Sequence, residues 1–206
     1  MALLSMDSKF MGFMDQFVDL VLLNLLWLVF SLPLVTVGAA TAAASSVILR
    51  GLDHEAPTLF RTFWAEFCRN FPRATGIWIL EAVALYALWL DGQLVFGASD
   101  PSLVLLCVSI VSAVFVFCAF VYAYPLTARF ENTLVKTLQN SVLLSFRYPF
   151  RTLLLLLILA LEVGLFFWNT TMFFFGLVLG PMVLLSTVAG IARGIFKEHP
   201  CATPIP

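Results

Sequence analysis

The sequence predicts an all-α fold: a polytopic transmembrane helical bundle of six spans, with two cytoplasmic amphipathic helices. Three observations carry that expectation. Of 206 residues, 62% are hydrophobic and 11% charged, at a mean hydropathy of +1.02, whereas a soluble domain is about 45–50% apolar and about 25% charged. Apolar stretches recur near the roughly 17–25 residues that a helix needs to cross a bilayer. Lys and Arg gather in alternate connections between those stretches. The same composition excludes other classes. Lys+Arg number 11 against 12 Asp+Glu, a net charge of −1, and no basic stretch is present to release counterions from nucleic acid. Four scattered Cys make no disulfide framework.

The spans are expected at about 12–33, 36–52, 76–91, 102–128, 150–168 and 172–195, within one integral membrane domain over 1–196. The first two follow from a length argument. Pooled, residues 12–52 would form a helix of roughly 60 Å, about twice the hydrocarbon thickness. Pro33 and Gly38 sit where such a run should break, since proline removes a helical donor and glycine weakens the helix. A tight hairpin follows. A five-span alternative has 12–52 crossing once. Lys9, an apolar core and Ala42–Ala44 mimic a cleaved signal, but the core exceeds a signal's about 7–15 residues. Residues 197–206 lack an apolar pattern and read as a disordered cytoplasmic tail.

In the six-span arrangement, all 11 basic residues fall on one side. The turns opposite, near 34–36, 92–101 and 169–171, carry no Lys or Arg. The positive-inside rule then puts both termini in the cytoplasm. The five-span form moves Lys9 outside and keeps ten basics inside, so length rather than charge favours six.

Two stretches on the cytoplasmic side have helical periodicity. Over 58–70, Leu59, Phe60, Phe63, Trp64 and Phe67 make an aromatic face, suited to the membrane interface, to packing under the bundle or to docking. Over Thr127–Tyr148, Arg129, Asn132, Lys136 and Asn140 follow at i+3 or i+4 and share a polar face. Phe130, Leu134, Leu138 and Val142 form an apolar stripe elsewhere. Such a helix rests on the bilayer, is gripped by a partner or is simply solvated. Phe63, Trp64, Arg129, Asn132, Lys136 and Asn140 are thus the candidate partner contacts.

Ionisable groups inside a membrane cost at least roughly 2.5–3.5 kcal/mol at the centre, so each asks for a reason. Glu81 lies some five residues into its span, within reach of snorkelling arginines, and Glu162 lies deeper without an evident partner. Asn24 reads as a hydrogen-bonding residue between helices. These three are the candidate pathway groups; a carboxyl protonated and hydrogen-bonded between helices is the plainer reading of Glu162. Asp15 and Asp19 sit one turn apart at the mouth of the first span. Small residues at four-residue spacing are expected to pack helices closely: Gly38, Ala42 and Ser46, then Gly176 with Gly180 and Gly190 with Gly194. Pro181 predicts a kink in the last span.

No catalytic pattern is present. There is no G-x-x-x-x-G-K-[ST], no H-E-x-x-H and no G-x-S-x-G. His54 and His199 are far apart, and Cys107 and Cys118 share a helix face as small core residues rather than metal ligands. The expectation is a protein that is not an enzyme and needs no cofactor or metal.

Asn24-Leu25-Leu26-Trp27, Ser31-Leu32-Pro33 and Thr36-Val37-Gly38-Ala39-Ala40-Thr41-Ala42-Ala43 together resemble the YesL-like family of bacterial membrane proteins. Asn70-Phe71, Ala74-Thr75, Ile77-Trp78, Pro125-Leu126, Ala128-Arg129-Phe130 and Asn132-Thr133 extend the likeness. It covers roughly residues 10–195, the last third in apolar pattern alone, and Pro72 departs from it where a basic or polar residue is expected. The family has no settled activity and no catalytic motif. Its genes often lie beside sugar-binding and permease components of ABC importers, so the resemblance implies an accessory subunit of a carbohydrate uptake system, touching permease or ATPase. The alternatives are an independent small carrier or channel, as a homo-oligomer, and a membrane assembly or scaffold factor.

Overall fold

The computed structural model describes residues 2–53, 58–97, 102–168 and 170–198, and their side chains except at 2–16, 96, 165–168, 170–179, 197 and 198. The described residues are helical throughout apart from short connections. Helix α1 (Ala2–Ser31) stops before Leu32-Pro33, where Pro33 is extended (φ −76°, ψ 111°), and a 3-10 turn over Leu34–Thr36 leads into α2 (Val37–Leu52). The Thr36 hydroxyl ties the turn by donating to the carbonyls of Phe30 (2.5 Å) and Pro33 (2.7 Å). Across the reversal, the Trp27 indole N–H donates to Thr41 Oγ1 at 3.0 Å. The hairpin expected from length is present, and Pro33 makes it. Gly38 does not: it lies inside α2.

Helix α2 is the centre of the protein. Every residue from Gly38 to Leu49 is buried, and α1, α3 (Leu59–Gly97), α5 (Ala123–Arg129) and α8 (Thr170–Glu198) all pack on it. Its small side chains make this possible, because lipid offers no hydrophobic drive and backbones must approach closely to gain dispersion contacts. A Cβ on Gly38 would collide with the Ala74 carbonyl and come within 2.6 Å of Trp78 Cβ. The ridge Gly38, Ala42, Ser46 is therefore a close-packed seam. Gly190 is not, since nothing lies within 4 Å of its missing Cβ, and Gly194 meets Arg151 at an ordinary 3.7 Å. Four-residue spacing marks where close packing is allowed; it does not supply a neighbour. The side chains around Gly176 lie outside the described residues.

Helix α3 runs 39 residues through Pro72. The separate helices expected over 58–70 and 76–91 are one element of ~58 Å. Proline costs one donor and usually kinks a helix, but packing against α2 on both sides of Pro72 (Phe63 and Phe67 before it, Ala74 and Ile77 after) holds the element together.

Helix α4 (Leu103–Phe120) gives way at Val121–Tyr122 to α5. Pro125 lacks the N–H that would bond the Val121 carbonyl one turn back, and the Ser141 hydroxyl inserts into the opened ladder: it donates to the Cys118 carbonyl (3.1 Å) and accepts from the Tyr122 N–H (3.2 Å), the two groups that would otherwise bond each other. Ser145 donates to the same carbonyl at 3.0 Å. Helix α5 ends at Arg129 because Phe130 is extended (φ −124°, ψ 137°), and α6 starts only at Leu134 (Leu134–Arg147). The single helix expected over Thr127–Tyr148 is thus two, and Arg129 and Asn132 do not share a helical face with Lys136 and Asn140. Helix α7 (Pro149–Trp168) leaves α6 at 102°, and α8 continues through Pro181. Since α8 reaches Glu198, Lys197 and Glu198 extend the helix rather than begin a tail; 199–206 lie outside the described residues.

Among the described residues, three helical segments are long and apolar enough to cross a membrane: Leu34–Leu52, Leu59–Val95 and Leu103–Arg129. A fourth counts if the bent pair α6–α7 is one span. Phe17–Ser31 and Gly180–Phe196 are apolar but shorter over the described residues. Three to four candidate spans, not six, are what length and composition establish. Val83, Trp89, Val104, Val111, Leu157 and Leu161 are exposed, as lipid-facing residues would be. Cys107 joins that exposed surface, contrary to the core position expected for it, while Cys118 is buried.

Candidate functional site

The polar groups concentrate where α2, α5 and α8 end together. Asp53, just past α2, accepts from Arg193 Nε of α8 at 2.7 Å and from Arg129 of α5 at 3.3 Å. An acid at a helix C-terminus opposes the macrodipole, so Asp53 is held by these cations rather than by its own helix. The Arg129 guanidinium lies over the Phe196 ring (5.7 Å to its centroid), and Phe196 meets Phe130 edge-on at 5.3 Å.

A second carboxylate, Glu66 of α3, is still more enclosed. Its side chain is 4% exposed and takes Arg50 on Oε1 (2.7 Å) and Arg69 on Oε2 (2.7 Å), with Asn70 donating at 3.1 Å and Ser46 at 3.5 Å. Arg50 and Arg69 keep 44% and 49% of their side chains in contact with the surroundings, so the desolvation cost falls on the carboxylate, and four donors offset it. A cleft of about 260 Å³ opens beside this cluster, lined by Arg50, Thr58, Arg61, Thr62, Ala65 and Glu66. Arg50, Arg69, Arg129 and Arg193 are thus held with Glu66 and Asp53 in an ion-paired platform.

The expected contact residues divide around it. Phe63 is fully buried, its ring 5.4 Å from Phe30 of α1, and so is not displayed to a partner. Trp64 stays half exposed, stacked on Phe67 at 5.9 Å. The aromatic face over 58–70 is largely covered by the chain itself. Asn132 is half-buried between α5 and α6, Asn140 is half-buried, and Lys136 is exposed. Glu66 and Asp53 were not singled out in the sequence. The signal was there: Glu66 stands i, i+3 from Arg69 and i, i+4 from Asn70, and Asp53 is an acid at the end of a helix.

Of the intramembrane groups, Asn24 is completely buried in α1. Glu81 stands 22 residues beyond Leu59, ~33 Å along α3. Its partner is the Tyr124 hydroxyl, which donates to Oε2, and not a snorkelling arginine. Glu162 of α7 is aimed at Gly180 of α8, where a Cβ would strike its Oε1; no hydrogen-bond partner for Oε2 occurs among the described residues. Gly180 is thus small to admit a carboxylate rather than a backbone. Asp19 is exposed, and the Asp15 side chain lies outside the described residues. Among the described residues no three of His, Cys, Asp and Glu converge on a metal position.

A protein-family profile, described as "Protein of unknown function, DUF624", matches residues 20–92. DUF624 is the YesL-like membrane protein family of unknown function, so the resemblance holds over that stretch. It spans the end of α1, the reversal, α2 and α3 up to Gly92. These are the elements joined by the Trp27–Thr41 hydrogen bond and the Gly38–Ala74 contact. No curated protein matches the chain, and no solved structure does.

Proposed function

We propose that this YesL-like chain is a six-span protein of the bacterial cytoplasmic membrane, an accessory subunit of an ABC-type carbohydrate importer with no catalytic centre of its own. The observation that carries the reading is the ion-paired platform: Arg50, Glu66 and Arg69 with Asp53, Arg129 and Arg193 hold one end of the bundle rigid. Around it Arg61 and Trp64 stay exposed for a permease or ATPase subunit to meet. Paired charges of this kind fix register and orientation more than they add affinity. The six-span form draws on helix length, since α1 with 30 residues and α8 with 29 run ~45 Å and ~44 Å and contain residues 12–31 of the first apolar stretch and all of 172–195. With Lys and Arg read from the six-span sequence as one-sided, the positive-inside rule favours that side, and both termini, in the cytoplasm.

Crosslinkers placed at Trp64 and Asn132, followed by purification from native membranes, test the importer role. Recovery of a permease or ATPase subunit is expected; recovery of neither, on every growth sugar tried, contradicts it. A second reading, an independent carrier, draws on Glu162, whose Oε2 is buried and without a hydrogen bond among the described residues. Flux into liposomes by the purified chain alone, abolished by Glu162→Gln, would favour that reading. A scaffold role would instead lower partner abundance on deletion without changing transport per complex.

A further inference from the structure

We infer that α6 is an in-plane helix seated in the headgroup layer of the leaflet at the arginine-bearing end, one flank in lipid and the other on anionic phospholipid. The surface is unpartnered within the chain, and its occupant follows from four features. The first is direction. Helix α7 leaves α6 at 102°, so with α7 crossing the bilayer, α6 lies close to the membrane plane.

The second is an inverted face. Helix α6 turns Thr137, Ser141 and Ser145 inward, where the serines satisfy the α4–α5 break, and turns Val135, Leu143 and Phe146 outward. A helix in water would be arranged the other way. The third is continuity. Phe146 and Phe150 are 68% and 87% exposed and run without interruption into the exposed Leu153, Leu157 and Leu161 of α7. One apolar surface therefore turns the corner from the bilayer interior to its interface.

The fourth is charge. At 3.6 residues per turn, Val135, Val142 and Phe146 fall on one flank of the helix, and Lys136, Asn140 and Arg147 on the other. Helix α6 contains no Asp or Glu, and neither Lys136 nor Arg147 has an ion pair among the described residues. Two uncompensated cations beside an apolar stripe match an anionic phospholipid surface, where each adds electrostatic attraction to the burial of apolar area. The inference rests on the membrane reading of the fold and is independent of the importer role. The test uses the chain alone, so the two fail separately.

The full-length chain, with Cys68, Cys107, Cys118 and Cys201 replaced by Ala, is placed in phosphatidylcholine nanodiscs with or without phosphatidylglycerol. A nitroxide is attached at Phe146→Cys, Val135→Cys or Asn140→Cys. Labels at 146 and 135 should show a severalfold higher ratio of oxygen to water-soluble nickel accessibility than the label at 140. Phosphatidylglycerol should widen that gap, and Lys136→Gln with Arg147→Gln should remove its effect. Equal nickel access at all three sites would overturn the inference, as would loss of oxygen access at 146 through contact with a second copy of the chain. A gap indifferent to phosphatidylglycerol would overturn the anionic component. If the cysteine-free chain does not fold, Phe146→Trp and Asn140→Trp in the native background give the same comparison through quenching by brominated lipid, with added quenching beyond that of the five native Trp expected only for the former.

Discussion

At Gly38 a single hydrogen in place of a side chain lets α2 meet α3 backbone to backbone. The atoms a Cβ would strike belong to the Ala74 carbonyl and the Trp78 Cβ, neither of which rotates away. Gly38→Ala should therefore cost about 1–3 kcal/mol by overpacking, read as a lowered thermal midpoint in detergent. Gly190→Ala, with open space at the Cβ, should be neutral or gain up to about 1 kcal/mol from helix propensity. Both glycines looked alike in the sequence, because periodicity records a face and not what stands opposite it. Glu66 makes the same point for charge. Glu66→Gln leaves Arg50 and Arg69 facing each other across a neutral amide, but both are half solvated. The expected loss is on the order of 1–3 kcal/mol, below the ~3–5 of a fully buried pair. Arg61→Gln, beside the same cleft but without an ion pair among the described residues, should change stability by less than about 0.5 kcal/mol.

The elements were legible where composition punctuates them and illegible where a distant side chain does. Pro33 announced the first reversal. Pro125, which lacks the N–H that would bond the Val121 carbonyl, marks the α4–α5 break, but the inserted Ser141 hydroxyl that fills it was not readable locally, and no Pro or Gly separates α5 from α6. Pro72 gave the opposite error: a residue that usually ends a helix lies inside one. Removal of the inserted hydroxyl tests the account of the α4–α5 break. Ser141→Ala strips the Tyr122 N–H of its acceptor and should cost about 1–3 kcal/mol. Ser145→Ala should cost less, since the Cys118 carbonyl keeps Ser141. The double substitution should be more harmful than the sum, because the two serines share one acceptor. Thermal midpoints of the three variants decide it.

For the whole molecule, composition alone pointed to the membrane class, and four of the basic residues, Arg50, Arg69, Arg129 and Arg193, meet in ion pairs around Glu66 and Asp53. Which carboxylates they pair with was not readable, because Asp53 meets Arg193 across 140 residues. The claim on which the account turns is that this arginine-bearing end faces the cytoplasm while the apolar helices cross the bilayer. The native cysteines report on it directly: Cys68 is exposed beside Arg69, Cys107 lies on the outward face of α4, and Cys118 is buried. A membrane-impermeant maleimide, applied to the Cys201→Ala chain in intact cells and in inverted membrane vesicles, is the measurement to make. Labelling of Cys68 only in inverted vesicles, with Cys107 and Cys118 unreactive in both, is the predicted result; labelling of Cys68 in intact cells would contradict it.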